Sequence, residues 1–256
     1  MPVILIYHDV AQSVQRDAHG RPGPLAAGYK LEPSLFRAHL DAIGRVGTEV
    51  GIVAPGRRPP AAALTFDDGG QSAQEIAAEL EGRGWRGHFF VITDRIGTPG
   101  FVDAEEVREL ARRGHVVGSH SHSHPSYMSR INETDLDHEW RRSRELLAEI
   151  LGEAPRHAAV PGGDVSQAVT HAVERAGYEI LMTSDPILKV QRVGSLQVFG
   201  RFPIWASTSA ETAAAYVAGR RSAQARVALA WRLKRLAKKI SPGAYERLRR
   251  ARGPRD

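Results

Sequence analysis

Two short segments hold the side chains best able to do chemistry. Thr65-Phe66-Asp67-Asp68-Gly69 sets two carboxylates side by side, and Gly118-Ser119-His120-Ser121-His122-Ser123-His124-Pro125 alternates three imidazoles with serines. Adjacent carboxylates repel unless a cation or proton sits with them. Neutral imidazoles with one carboxylate suit a zinc-type ion that keeps a position open for water. The spare carboxylate can then take a proton from that water. Each segment also has a plainer reading. Asp-Asp-Gly is a common turn, and a His-rich loop can be no more than a solvated surface. Together they point to a mononuclear hydrolytic metal site.

Both segments need scaffolding that ends in a loop. Ala61 to Phe66 is short and apolar, and a helix-like segment, Gln71 to Arg83, follows it. His115-Val116-Val117-Gly118 reads the same way before the histidines. Such strand ends are where α/β enzymes gather their reactive groups. The periodicity predicts strands at Val3–Tyr7, Glu49–Val53, Ala62–Phe66, Gly87–Ile92, His115–Ser119, His157–Val160, Glu179–Thr183 and Gln197–Ile204. Helices are predicted at Pro33–Val46, Gln71–Arg83, Asp103–Arg113, Glu133–Leu151, Ser166–Gly177 and Ala210–Gly219. Strand-then-helix alternation implies an α/β fold with a parallel sheet. Gln12 to Ala27, rich in Gly and Pro, reads as a loop over the site.

Thr-Phe-Asp-Asp-Gly followed by the His120–His124 pair resembles the signature of the NodB-homology polysaccharide deacetylases, carbohydrate esterase family four. The resemblance runs from about Val3 to Ile204. It implies a distorted (β/α)7-type barrel, placed over residues 1–218; residues 219–256 read, from their own charge and apolar pattern, as a basic amphipathic helical tail. It also implies metal-dependent removal of acetyl groups, N-acetyl foremost, from a sugar of a polysaccharide or its lipid-linked precursor. Carried over by motif, Asp67 resembles the general base, Asp68, His120 and His124 the ligands of a divalent metal, zinc first, and His122 a variable position.

Two departures stand out. Ala159-Val160-Pro161-Gly162 occupies the third motif, usually Arg-x-Pro-Tyr. Gly162 can still supply its backbone N–H to an oxyanion, but Ala159 cannot hold Asp67 as the family arginine does. Pro-Gly-Gly alone would mean only a turn. The family's late Leu-x-His is missing too, since no histidine follows His171. His8, ending the first strand, is the substitute acid, or else a strand-capping histidine with no catalytic part. Asp185 matches the fourth motif weakly. An impaired, glycan-binding or scaffold relative is therefore the alternative function.

With 256 residues and 42% hydrophobic content, the chain can bury one substantial core. There is no cysteine, which excludes disulfides and thiolate chemistry. The N-terminus lacks the basic and apolar regions of a signal segment, so a cytoplasmic location is expected. From Gly219 onward, thirteen Lys/Arg against two Asp/Glu give +11, and the remaining 22 basic and 27 acidic residues give −5. Val227, Leu229, Trp231, Leu233, Leu236 and Ile240 are interleaved with cations, and Ser241-Pro242-Gly243 should break the helix before a second short one carrying Tyr245 and Leu248. This pattern suits a helix lying on an anionic membrane surface through residues 224–250, at the inner face. It suits equally a helix packed on the barrel with its basic face solvated. No stacking aromatics accompany the charge, so no nucleic-acid partner is expected.

Overall fold

The computed structural model describes residues 1–240. Its strands are β1 (Val3–Tyr7), β2 (Ala62–Phe66), β3 (His88–Val91), β4 (Val116–Ser119), β5 (His157–Ala159), β6 (Ile180–Met182), β7 (Gln191–Val193), β8 (Leu196–Phe199) and β9 (Phe202–Pro203). Its helices are α1 (Pro24–Ala27), α2 (Pro33–Arg45), α3 (Ala73–Glu81), α4 (Ala104–Arg112), α5 (Glu133–Leu151), α6 (Gln167–Arg175), α7 (Ala210–Val217) and α8 (Arg221–Ile240). Local chemistry sets several boundaries. Pro33 opens α2 with its φ already helical. Asp103 and Glu106 form a reciprocal capping box on α4. Asn132 caps α5, and Gly152 ends it in the left-handed region.

The strand order is β7-β8-β6-β5-β4-β3-β2-β1-β9, and only β7 runs antiparallel to its neighbour. β8 pairs with β6, whereas β9 pairs with β1. These two strands are parted by Gly200-Arg201 alone, so one stretch of chain supplies both ends of the parallel sheet. The sheet thereby rolls into a ring of seven strand positions, the distorted (β/α)7-type barrel that the sequence implies.

Strand residues alternate between two apolar environments, as buried parallel strands require. Ile4, Ala63, Phe90, Ala159, Ile180 and Phe199 meet inside the ring. Leu5, Leu64, Phe66 and Phe89 pack outward with Leu40, Ile76, Leu80 and Val107 of the surrounding helices. Burying each such side chain stabilises the fold by about 1.5–3 kcal/mol.

Two expectations need correction, and a third is reached only in part. Glu49–Val53 is not a strand and makes only an isolated bridge, Val50 to Ala62. Its end instead plugs the ring, because the Val53 N–H donates to His88 Nε2 at 3.0 Å and its carbonyl accepts from His157 Nε2 at 2.8 Å. Imidazoles take the backbone groups that a neighbouring strand would have used. Gln197–Ile204 is not one strand, because the chain changes partners at Gly200-Arg201. The tail is described only as far as α8. α8 places Val227 in the main core and buries Trp231, while Leu229 and Leu233 stay exposed. Of the four members of the proposed stripe whose side chains are described, Val227 and Trp231 therefore face protein and Leu229 and Leu233 face outward. The second short tail helix lies outside the described residues. No helix among the described residues is long and apolar enough to cross a membrane.

Candidate active site

The candidate residues gather where the parallel strands end. Asp67 continues the β2 ladder, donating its N–H to the Tyr7 carbonyl at 3.0 Å. Asp68 then turns with φ 78°, and Gly69 follows at φ 74°. Two successive positive φ values reverse the direction of the side chains. A side chain at Gly69 would collide with Val91, its Cβ 2.1 Å from Val91 Cγ1. A non-glycine residue in this region carries strain, often tolerated at functional sites.

His120 leaves β4 with its N–H on the Val91 carbonyl at 2.8 Å. Its Nδ1 lies 2.9 Å from the Ala159 carbonyl and must donate there, so the Nε2 lone pair faces the site. His124 is brought back by a tight loop in which Ser121 and His124 both adopt positive φ. Glu139 of α5 fixes that loop. Its carboxylate accepts the His122 and Ser123 N–H groups at 2.9 and 2.8 Å, and the Ser123 hydroxyl at 2.5 Å. Ser121 Oγ accepts the His124 N–H at 3.1 Å.

Asp68 Oδ1 lies 3.5 Å from both His120 Nε2 and His124 Nε2. The three donor atoms fall within 4.8 Å of one another. Asp68 Oδ1 is buried and lacks a hydrogen-bond partner, an expensive arrangement unless something positive joins it. Burial pushes the His120 imidazole down to about 4, against the pull of Asp67. Burial and then the Arg21 guanidinium push His124 down to about 3. Both rings are therefore neutral at pH 7 and present lone pairs. One carboxylate and two neutral imidazoles fit a divalent cation.

Asp67 stands beside this trio, its Oδ2 3.8 Å from His120 Nε2. Its partner was not foreseen. Arg201, fully buried between β8 and β9, donates Nη1 to Asp67 Oδ1 at 2.7 Å and Nη2 to Oδ2 at 2.8 Å. The same guanidinium bonds Thr65 Oγ1 and the Thr183 carbonyl and lies over the Phe90 ring. Burial alone would raise the Asp67 carboxyl. Arg201 and smaller pulls from His120 and His8 together outweigh it and hold it at about 2. Ala159 leaves the third motif without an arginine, and Arg201 supplies one from another strand. The sequence signal was a lone cation inside Val198-Phe199-Gly200-Arg201-Phe202-Pro203-Ile204.

The other candidates are placed less tightly. His8 follows β1 directly, lies tilted against Tyr29 at 4.7 Å between centroids, and keeps its buried Nδ1 without a partner. Gly162 lies exposed at φ 59° in the turn after β5, whose Ala159 carbonyl holds His120. His122 points elsewhere, with Nδ1 3.0 Å from Thr93 Oγ1. Asp185 accepts the Trp231 indole N–H at 2.8 Å, which brings α8 against the same rim near Gly163.

Residues 55–181 match the family model for polysaccharide deacetylase. A peptidoglycan-N-acetylglucosamine deacetylase of Bacillus cereus is 29% identical over 109 residues, which are 40% of this chain and 36% of that protein. The matched region thus spans little more than a third of that relative. Among solved structures, a polysaccharide deacetylase from Bacillus cereus superposes with a TM-score of 0.70 at 20% identity, covering 84% of this chain and 68% of that one. IcaB from Ammonifex degensii gives 0.66 at 24% identity, covering 84% and 96%. At these identities the superpositions speak for the fold.

Proposed function

We propose, for a chain that belongs to the polysaccharide deacetylase family, that it is a metal-dependent hydrolase removing acetyl groups, N-acetyl foremost, from a saccharide. The observation carrying this reading is the convergence of Asp68, His120 and His124 beside an Asp67 clamped by Arg201. Asp68, His120 and His124 would hold the cation, with zinc the best match to a carboxylate-imidazole set. Bound there, it would polarise the acyl carbonyl and make a water acidic enough to attack at neutral pH.

The chain's own residues supply the rest. Asp67, ionised across the physiological range, accepts the proton of the attacking water. Arg201 locks the orientation of that carboxylate. The Gly162 N–H donates to the developing oxyanion, a contact whose loss typically costs about 10²–10³ in rate. His8, at the end of the neighbouring strand, gives a proton to the departing amine. A glycan-binding relative without activity has less behind it, because Arg201 removes one of the two departures that suggested it.

The test is metal analysis of the purified protein together with acetate release from N-acetylglucosamine oligosaccharides. Asp67→Asn should keep the metal and lose nearly all turnover, whereas His120→Ala or His124→Ala should lose the metal. Full acetate release by Asp67→Asn would refute its role as the base. A cytoplasmic location, and action on a lipid-linked precursor at the inner membrane face, remain part of the proposal. Their support is the cationic tail and the exposed Leu229 and Leu233 of α8.

A further inference from the structure

Arg21 is the cation of the site that no carboxylate answers. It lies half-buried in the Gly/Pro-rich segment preceding α1. The segment is anchored on both sides of it. Gly20 donates its N–H to the Gly100 carbonyl at 2.6 Å. The Arg21 carbonyl accepts from Nζ of the buried Lys30 at 2.7 Å, and the same ammonium holds the His19 carbonyl. So positioned, Arg21 brings Nη1 to 3.3 Å from His124 Nε2.

That nitrogen is one of the three atoms converging with Asp68 and His120. One lone pair cannot serve both a guanidinium and a metal ion. Once a cation takes it, Arg21 loses its acceptor, and its guanidinium beside the site is open to another anion. No carboxylate among the described residues lies within ion-pair reach of Arg21. Arg201, in contrast, is saturated by Asp67, Thr65 and the Thr183 carbonyl. With Asp67 matched by Arg201 and Asp68 committed to the cation, Arg21 is the surplus positive charge beside the reacting centre.

We propose that Arg21 selects a saccharide carrying an anionic group, a carboxylate or a phosphate, next to the acetylated position. This rests on the deacetylase reading above. A guanidinium fork matches either oxyanion in a two-point geometry that a lysine cannot copy. A charge-assisted contact of this kind corresponds to about 10–100-fold in binding.

The experiment compares three probes on the metal-loaded full chain. They are a tetrasaccharide alternating N-acetylglucosamine with glucuronate, N-acetylglucosamine 1-phosphate, and neutral tetra-N-acetylchitotetraose. Acetate release gives kcat/KM, and calorimetry on the Asp67→Asn protein gives dissociation constants. Arg21→Ala should lower the preference for one charged probe over the neutral one by about 10–100-fold, and Arg21→Lys should restore only part. The probe that responds tells carboxylate from phosphate. An equal change on charged and neutral probes would show that Arg21 acts only through His124, and would overturn the proposal. So would a wild-type protein that binds neither charged probe better than the neutral one. Absence of acetate release from every probe would instead count against the deacetylase reading, while calorimetry still decides the role of Arg21.

Discussion

Arg201 and Asp67, 134 residues apart in sequence, meet as a two-point ion pair of 2.7 and 2.8 Å inside the barrel. Both are almost wholly buried. Removing one partner from such a pair strands a charge away from water, which typically costs about 3–5 kcal/mol. Arg201→Met should therefore destabilise the protein by that order in urea unfolding. It should also let burial raise the Asp67 carboxyl, shifting the acidic limb of the kcat/KM profile to higher pH. Arg201→Lys should fall between, since an ammonium keeps the charge without the fork. In the wild type, the Asp67 pKa of about 2 lies below its unfolded value of about 3.9. Its stabilising contribution is complete above pH ~4 and disappears as pH falls toward 2.

Glu139 holds the histidine loop without touching the cation ligands. Glu139→Gln keeps the side chain's shape but offers only one acceptor oxygen to the His122 and Ser123 N–H groups and the Ser123 hydroxyl. Metal affinity should fall by about 10–100-fold, the usual consequence of losing a group that orients a ligand. Competition with a chromogenic chelator measures this, and circular dichroism should show an unchanged fold.

Six histidines, five buried and His124 largely so, give the metal-free protein a steep pH dependence. His39, His88, His115, His120, His124 and His157 are all shifted below the ordinary imidazole value, with burial the largest cause in each. His88 and His124 lie at about 3 and His120 at about 4. Between pH ~6.5 and ~4 the unfolded chain binds protons that the folded chain refuses, so stability falls as pH falls. Each such proton contributes about 1.4 kcal/mol per pH unit. Denaturant midpoints from pH 7 to 4.5 should drop accordingly, and added metal should shallow the curve by occupying His120 and His124.

Trp231 tests how α8 is held. Its indole donates to Asp185 and its ring lies against Gly163. Trp231→Ala should speed hydrogen exchange through α8 and lower stability by about 3–5 kcal/mol. Recovery of the protein with anionic liposomes should not change, because the ring is committed to protein and any attraction rests on the cations. A fall in recovery would return Trp231 to the lipid interface.

The sequence carried the barrel and the meeting of Asp68, His120 and His124 well, and lost what depends on long-range pairing. Asp67, Asp68, His120 and His124 were legible because each group sits in a compact motif at a strand end. α5 was read to its boundaries, since its cap, periodicity and terminal glycine agree. Arg201 was missed because its role is defined by Asp67 and Thr65, distant in sequence, while its neighbours look like a continuous strand. Glu139 was missed because one polar residue on a helix face says nothing about the loop it faces. Glu49–Val53 deceived through composition, as apolar character describes a plug as well as a strand. β7 (Gln191–Val193), mostly exposed, offered no apolar alternation to recognise.

The break at Gly200-Arg201 gives assembly and reactivity a common final step. The ring is joined by residues that come late in synthesis, and Asp67's counter-ion arrives with that joint. A nascent chain lacking β8 and β9 would carry Asp68, His120 and His124, yet Asp67 would stand without its guanidinium in an open sheet. Hydrolytic competence should therefore appear only at closure, making turnover a direct readout of whether the last staves are in place.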